Sequence, residues 1–101
     1  MITRVVKIHF QAEKIAEFLL FFESIKWKVA KQPNCFGMKL LQDKSNPEII
    51  FTYSIWKDEN ALNAYRDSEL FSQEVWPKIK PWFKEKAEAW TLEEQFDGFE
   101  I

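Results

Sequence analysis

FTYSIWKDENALNAYRDSELF, residues 51–71, is the stretch whose reading decides the fold. Phe51, Tyr53 and Ile55 alternate with Thr52, Ser54 and Trp56, which is the period of a β-strand. Lys57 and Asp58 end the alternation. Asp58 predicts an N-cap, because its carboxylate accepts from the free backbone N–H groups of a first helical turn. Glu59 follows where the helix dipole favours negative charge. Ala61, Leu62 and Tyr65 fall on one helical face, and Ser68 is placed to cap a second helix beginning at Glu69. Strand, helix and second helix therefore meet at one corner. Trp56, Tyr65 and Phe71 share that corner, which makes it the place to look for a ligand.

Working outward toward the N-terminus, residues 3–10 alternate, with Val6, Ile8 and Phe10 on one face and Val5, Lys7 and His9 on the other. Residues 12–32 predict a helix, weakly capped by Gln11. Ile15, Phe18, Leu19, Phe22, Ile25 and Val29 make its apolar stripe. Leu20, Phe21 and Trp27 lie off the stripe, either simply exposed or in contact with a partner. Pro33 stops the helix. Residues 35–43 predict a second strand, with Phe36, Met38 and Leu40 on one face and Gly37, Lys39 and Leu41 on the other. Lys44, Ser45, Asn46 and Pro47 are turn formers and predict a hairpin loop to the strand at 48–56.

Toward the C-terminus, Phe71, Val75, Ile79 and Trp82 keep a helical period, but Pro77 and Pro81 each remove a backbone donor and predict a kink or a break. Residues 89–96 predict a fourth strand with Trp90 and Leu92 inward, and 97–101 a loose tail. The order β-α-β-β-α-β, with its second helical region split, is the ferredoxin-like pattern of an α+β protein. Right-handed crossovers set the first strand beside the third, with the helices on one face of an antiparallel sheet. Nothing in the chain is left to cover the other face, which carries Val5 and Leu41; a second copy of the sheet would do so.

The bulk numbers bound the rest. A chain of 101 residues is one domain, expected over residues 1–96. Hydrophobic residues make up 47% and aromatics 17%, more large apolar surface than a small monomer easily hides, which favours a dimer, a ligand pocket or both. The charges nearly balance, 14 basic against 16 acidic, so neither nucleic acid nor a membrane surface is an expected partner. Cys35 is the only cysteine, which fits a reducing, cytoplasmic setting. The start of the chain is too short and too charged for a signal peptide, and no apolar run approaches a membrane span.

Four pieces together resemble the antibiotic biosynthesis monooxygenase family of dimeric α/β-barrel proteins. They are Pro-Asn-Cys-Phe-Gly at 33–37, Ser-Ile-Trp at 54–56, Ala-Leu-Asn-Ala-Tyr at 61–65, and Ser-Glu-Leu-Phe at 68–71. The resemblance covers most of the chain. It implies two subunits with their sheets packed face to face and a pocket in each between sheet and helices. It also implies oxygenation of quinol- or anthrone-like aromatics with no metal, flavin or other cofactor. A haem-opening branch of that family pairs an Asn on the first strand, a Trp on the helix after the third and a His further on. Aligned on Trp56, the Trp and His positions hold Tyr65 and Val75, and the inward alternation of the first strand puts Val6 at the Asn, so haem chemistry of that type is not expected.

The candidate chemistry is sparse. His9, the only histidine, alternates away from the helices and is expected to be a polar or interface residue rather than a base. Cys35 is expected to be a buried structural thiol, out of reach of His9. One His and one Cys make no ordinary metal set, two glycines make no phosphate loop, and the charged residues of 84–94 predict a solvated surface. Trp56, Tyr65, Phe71 and Trp76 remain as the candidate ligand-binding residues. Each alone is more simply core, but together they suit a flat aromatic ligand, with Tyr65 offering a hydrogen bond. The expectation is a cofactor-independent monooxygenase acting as a homodimer on a small aromatic or quinoid metabolite. A non-catalytic ligand-binding module, or a purely structural dimer on the same fold, stands as the alternative.

Overall fold

The computed structural model describes residues 1–100. Four strands form one antiparallel sheet in the order β2-β3-β1-β4, where β1 is Ile2–His9, β2 Cys35–Gln42, β3 Ile49–Trp56 and β4 Glu88–Glu93. A short 3-10 turn at Ala12–Lys14 leads into α1, Ile15–Ala30, and α2 is Glu59–Asp67. The split second helical region runs as a π-helical turn at Leu70–Val75, a single α-turn α3 at Trp76–Ile79 and a 3-10 turn at Lys80–Trp82. This is the ferredoxin-like α+β arrangement, with the helices on one face of the sheet.

The core lies between that face and the helices. Ile8 and Phe10 from the β1 side, Ile50 from β3, Phe18, Ile25 and Val29 from α1, and Val75, Ile79 and Trp82 from the split helix bury together. A second cluster joins Trp56 to Ala61 and Leu62 on α2, as the capping reading requires. Asp58 accepts from the Ala61 N–H at 2.9 Å, which fixes where α2 starts. Asn34 supports the same corner. It holds a left-handed backbone (φ 61°), which Asn tolerates, and its carbonyl accepts from the Lys57 N–H at 3.0 Å.

The structure departs from several of these expectations. Phe36 does not share a face with Met38 and Leu40. A β-bulge between Cys35 and Gly37 inserts one residue, so Phe36 turns out to solvent while Cys35 packs beside Trp56. Gly37 takes φ 143° there, a backbone conformation that a side chain would strain. Cys35 is half-buried rather than buried. Leu19 is exposed, and Phe21, read as off the stripe, packs edge-on to Trp82 at 6.2 Å. Gln11 does not cap the first helix with its side chain; its amide donates to the carbonyls of Pro81 and Phe83.

β4 also corrects the sequence reading. It spans Glu88–Glu93, and its register sets Ala89 opposite Val6 and Trp90 opposite Val5. Trp90 and Leu92 therefore point away from the helices, onto the open face, where Val5, Leu41, Phe51, Tyr53 and Ile55 lie with them. Leu41, Trp90 and Leu92 are 47%, 42% and 46% exposed, so this face is apolar and uncovered in the single chain. Residues 94–100 form no helix or strand, and Ile101 at the end of the expected tail lies outside the described residues. No helix among the described residues is long and apolar enough to cross a membrane.

Candidate ligand pocket

A cavity of about 710 Å³ opens between the helix-facing side of the sheet and the segment that runs from α2 to the start of β4. That volume is in the range of small-molecule sites. Its back is β1 and β3: Arg4, Val6 and Ile8 from the first, Thr52, Ser54 and Trp56 from the second. These are the alternate residues of each strand, so the strand period alone brings them to one wall. Thr52 and Ser54 are polar, yet theirs is the covered face. The outward-looking aromatics Phe51 and Tyr53 are on the open side.

The cavity is flanked by a run of aromatic rings. Trp56 stacks on Tyr65 (centroids 5.2 Å, planes 22° apart), Tyr65 meets Phe71 edge-on (5.2 Å, 61°), and Phe71 stacks on Trp76 (5.5 Å, 26°). Trp76 then meets Phe83 edge-on at 5.4 Å. All four candidate residues thus border one cavity, and Phe83, not singled out in the sequence, continues the run. Val6, Tyr65 and Val75, the three positions compared with the haem-opening branch, border it too.

The Phe71–Trp76 stack depends on the π-helical turn. Residues five apart on an α-helix point roughly 140° away from each other, at about 100° per residue. A π-turn has more residues per turn and brings i and i+5 onto nearly the same face. Its signature is present, with the Trp76 N–H donating to the Phe71 carbonyl. Pro77 explains the widening. It has no N–H to give the preceding turn and its ring crowds the carbonyl of Gln73, so the chain opens at that point rather than simply kinking. Ser68 anchors the other end, its hydroxyl accepting from the Phe71 N–H at 3.3 Å.

Polar groups are few and specific. The buried Trp56 indole N–H donates to the Ser54 hydroxyl at 2.9 Å, which locks the ring that starts the aromatic run. Ser54 is thereby engaged by Trp56 rather than by Tyr65. The Tyr65 hydroxyl takes part in no side-chain hydrogen bond among the described residues, and no sealed-off polar atom lacks a partner there. The phenol oxygen is therefore accessible, and Tyr65 borders the cavity. Burial pushes its pKa well above the ordinary tyrosine value, with Cys35 adding to the effect. Tyr65 is a neutral donor at any physiological pH, suited to a ligand oxygen and unsuited to removing a proton.

His9 lies on the other side of β1. Its Nε2 is 3.0 Å from Glu48 Oε1 and its Nδ1 is 3.5 Å from Glu85 Oε2. The His9 bond holds the Glu48 carboxyl below its usual range. No group of three or more His, Cys, Asp or Glu residues that would hold a metal ion occurs among the described residues. The charged residues of the 84–94 stretch are not all plain surface, since Lys84, Glu85 and Lys86 border the cavity. Arg4, Arg66 and Lys80 border it as well, and the sequence reading had no signal for them, because they come from elements distant in the chain.

A family model for antibiotic biosynthesis monooxygenases matches residues 1–75 of the chain. Among solved structures, a conserved protein from Methanosarcina mazei Go1 superposes with a TM-score of 0.85 at 27% identity, covering 94% of each chain. An antibiotic biosynthesis monooxygenase superposes with a TM-score of 0.86 at 19% identity, over 93% of this chain and 98% of the other. Rv0793 from Mycobacterium tuberculosis reaches 0.85 at 7% identity, over 97% and 98%. The last two likenesses speak for the fold alone. No curated protein matches the chain.

Proposed function

The chain belongs to the antibiotic biosynthesis monooxygenase family, and from that membership we propose that it is a cofactor-independent monooxygenase acting on a small aromatic or quinoid metabolite. The observation that carries the reading is the aromatic run Trp56–Tyr65–Phe71–Trp76 beside a cavity of about 710 Å³. In the proposed reaction an activated methylene carbon, as in an anthrone, becomes a carbonyl. One atom of O2 enters the carbon, and the other leaves as water with the two hydrogens that the carbon loses. The atoms and electrons balance without an outside reductant. The protein's part is to exclude water from the ring, to steady the developing oxyanion with the Tyr65 hydroxyl, and to leave room for oxygen.

The domain is taken as residues 1–96, working as a homodimer in the cytoplasm. Support for the dimer is the apolar open face of the sheet, with Leu41, Trp90 and Leu92 each more than two-fifths exposed in the single chain. A second copy of that face is the natural cover.

A non-catalytic binding module is the second reading, and one observation favours it. Among the described residues nothing bordering the cavity is a convincing base: Tyr65 holds its proton, Glu85, the one carboxylate there, is turned toward His9, and the histidine is on the far side of β1, tied to Glu48 and Glu85. The cavity counts against a purely structural dimer, whose sheet and helical segment would close on one another there. Oxygen uptake with a panel of quinols and anthrones separates enzyme from binder. Protein-dependent uptake supports the first reading, and binding of the same compounds without uptake supports the second.

A further inference from the structure

The cavity carries a charge that its own walls do not balance. Five of the side chains bordering it are basic and one, Glu85, is acidic. The chain as a whole leans the other way, 14 basic against 16 acidic. Glu85 is turned toward His9 at 3.5 Å, and Lys84 is 3.5 Å from Glu48. Arg4 and Arg66 have no carboxylate within 4.0 Å among the described residues.

Arg4 is the more telling of the two. It shares the inward face of β1 with Val6 and Ile8, and its register partners are Ser54 on one side and Thr91 on the other. It is half-buried, and one N–H of its guanidinium donates to Thr91 Oγ1 at 2.8 Å. Arg66 is exposed in the last turn of α2, one residue beyond Tyr65. Both side chains border the same cavity. Burial, and after it the charge of Arg66, lower the proton affinity of Arg4. Two like charges held at a cavity with no acid between them are a cost to the empty protein and an attraction to an anion. Two planar guanidiniums also match a carboxylate in shape and donors. This pair sits at the Trp56 end of the aromatic run, since Ser54, the register partner of Arg4, holds the Trp56 indole.

We infer that the ligand is an aromatic carboxylate, its carboxylate held between Arg4 and Arg66 and its ring lying along Trp56, Tyr65, Phe71 and Trp76. The inference rests on the aromatic-pocket reading above and narrows its substrate class from any flat ring to an acidic one.

The test uses a matched pair of probes, 2-naphthoate and 2-naphthamide, which share ring and shape and differ in charge. Titration calorimetry on the intact protein at low salt should show naphthoate binding tighter by on the order of tenfold, the worth of a charge-assisted hydrogen-bonded contact. The preference should shrink as salt is raised. Arg4→Gln and Arg66→Gln should each weaken naphthoate several-fold and leave naphthamide unchanged. The unchanged amide affinity reports that the pocket survived the substitution, and exposed Arg66 is the safer site of the two. Equal affinity for acid and amide overturns the inference and spares the aromatic pocket. A preference that survives both substitutions overturns it too. Binding of neither probe removes this inference and the pocket reading together. Acid-selective binding lost in the variants upholds it even if no hydroxylated naphthoate takes up oxygen, in which case only the enzyme reading falls.

Discussion

Tyr65→Phe separates the function of one hydroxyl from the structure of its ring. The ring is held by Trp56 stacked at 5.2 Å on one side and by Phe71 edge-on at 5.2 Å on the other, and phenylalanine keeps both contacts. The hydroxyl has no side-chain partner among the described residues, so its loss strands no buried group there. Folding stability should therefore change by less than about 0.5 kcal/mol, the ordinary range for a substitution that creates neither cavity nor orphan. Ligand binding should change more. If the phenol donates to a quinol or quinone oxygen, its removal costs about 1 kcal/mol, the usual net worth of such a bond, or roughly fivefold in affinity. The assay is a pair of measurements on the same preparation: urea unfolding for stability, and anaerobic titration of a naphthoquinol followed by tryptophan fluorescence for binding. Stability held and binding weakened is the expected pattern. A variant that binds as well as the parent takes Tyr65 out of the site. A variant that loses more than about 1 kcal/mol of stability would show that the hydroxyl has a structural partner after all, and that the cavity-facing assignment is wrong.

Ser54→Ala should do the opposite, because it orphans the buried Trp56 indole N–H now bonded at 2.9 Å. A loss of about 1–3 kcal/mol in urea unfolding is expected, and no loss would mean that the indole finds another acceptor. The chain should sediment as a dimer at micromolar concentration, and Trp90→Lys on the open face should drive it toward monomer; a parent that is cleanly monomeric sinks the paired-sheet model. Haem mixed with reductant and oxygen should lose no more of its Soret band than the protein-free control, since Val6, Tyr65 and Val75 offer no axial imidazole. Rapid stoichiometric loss would show that these positions were misaligned.

Much of the fold was legible because strong periodicities met clear stops. Val6, Ile8 and Phe10 declared the inward face of β1, and Asp58 declared the start of α2. Each misreading has a physical cause. The direction of β4 was read from Trp90 and Leu92, on the premise that large apolar residues face the helices. In this sheet the open face is apolar as well, so hydrophobicity cannot tell the two sides apart; only the pairing of Ala89 with Val6 does. Thr52 and Ser54 show the converse. They are polar on the covered face because that face borders a cavity rather than a packed core. Phe36 was displaced by a single bulged residue, which no period-two pattern reveals. Pro77 warned of a break, but the π-helical turn that stacks Phe71 on Trp76 needs the chain's path around the core to be seen. The four aromatics that border the cavity could be grouped in the sequence because three of them cluster in the one stretch that sets the fold. Arg4 and Arg66 were missed because a pair of arginines sixty-odd positions apart carries no local signal.

The most direct test of the proposed chemistry is isotopic. Anthrones and quinols, with and without a ring carboxylate, would be incubated with the protein under 18O2 and the products weighed by mass spectrometry. The account predicts protein-dependent turnover of at least one of them, with a single 18O atom in the product and the other in water. Oxidation at the same rate with and without protein, or a product free of 18O, would contradict it.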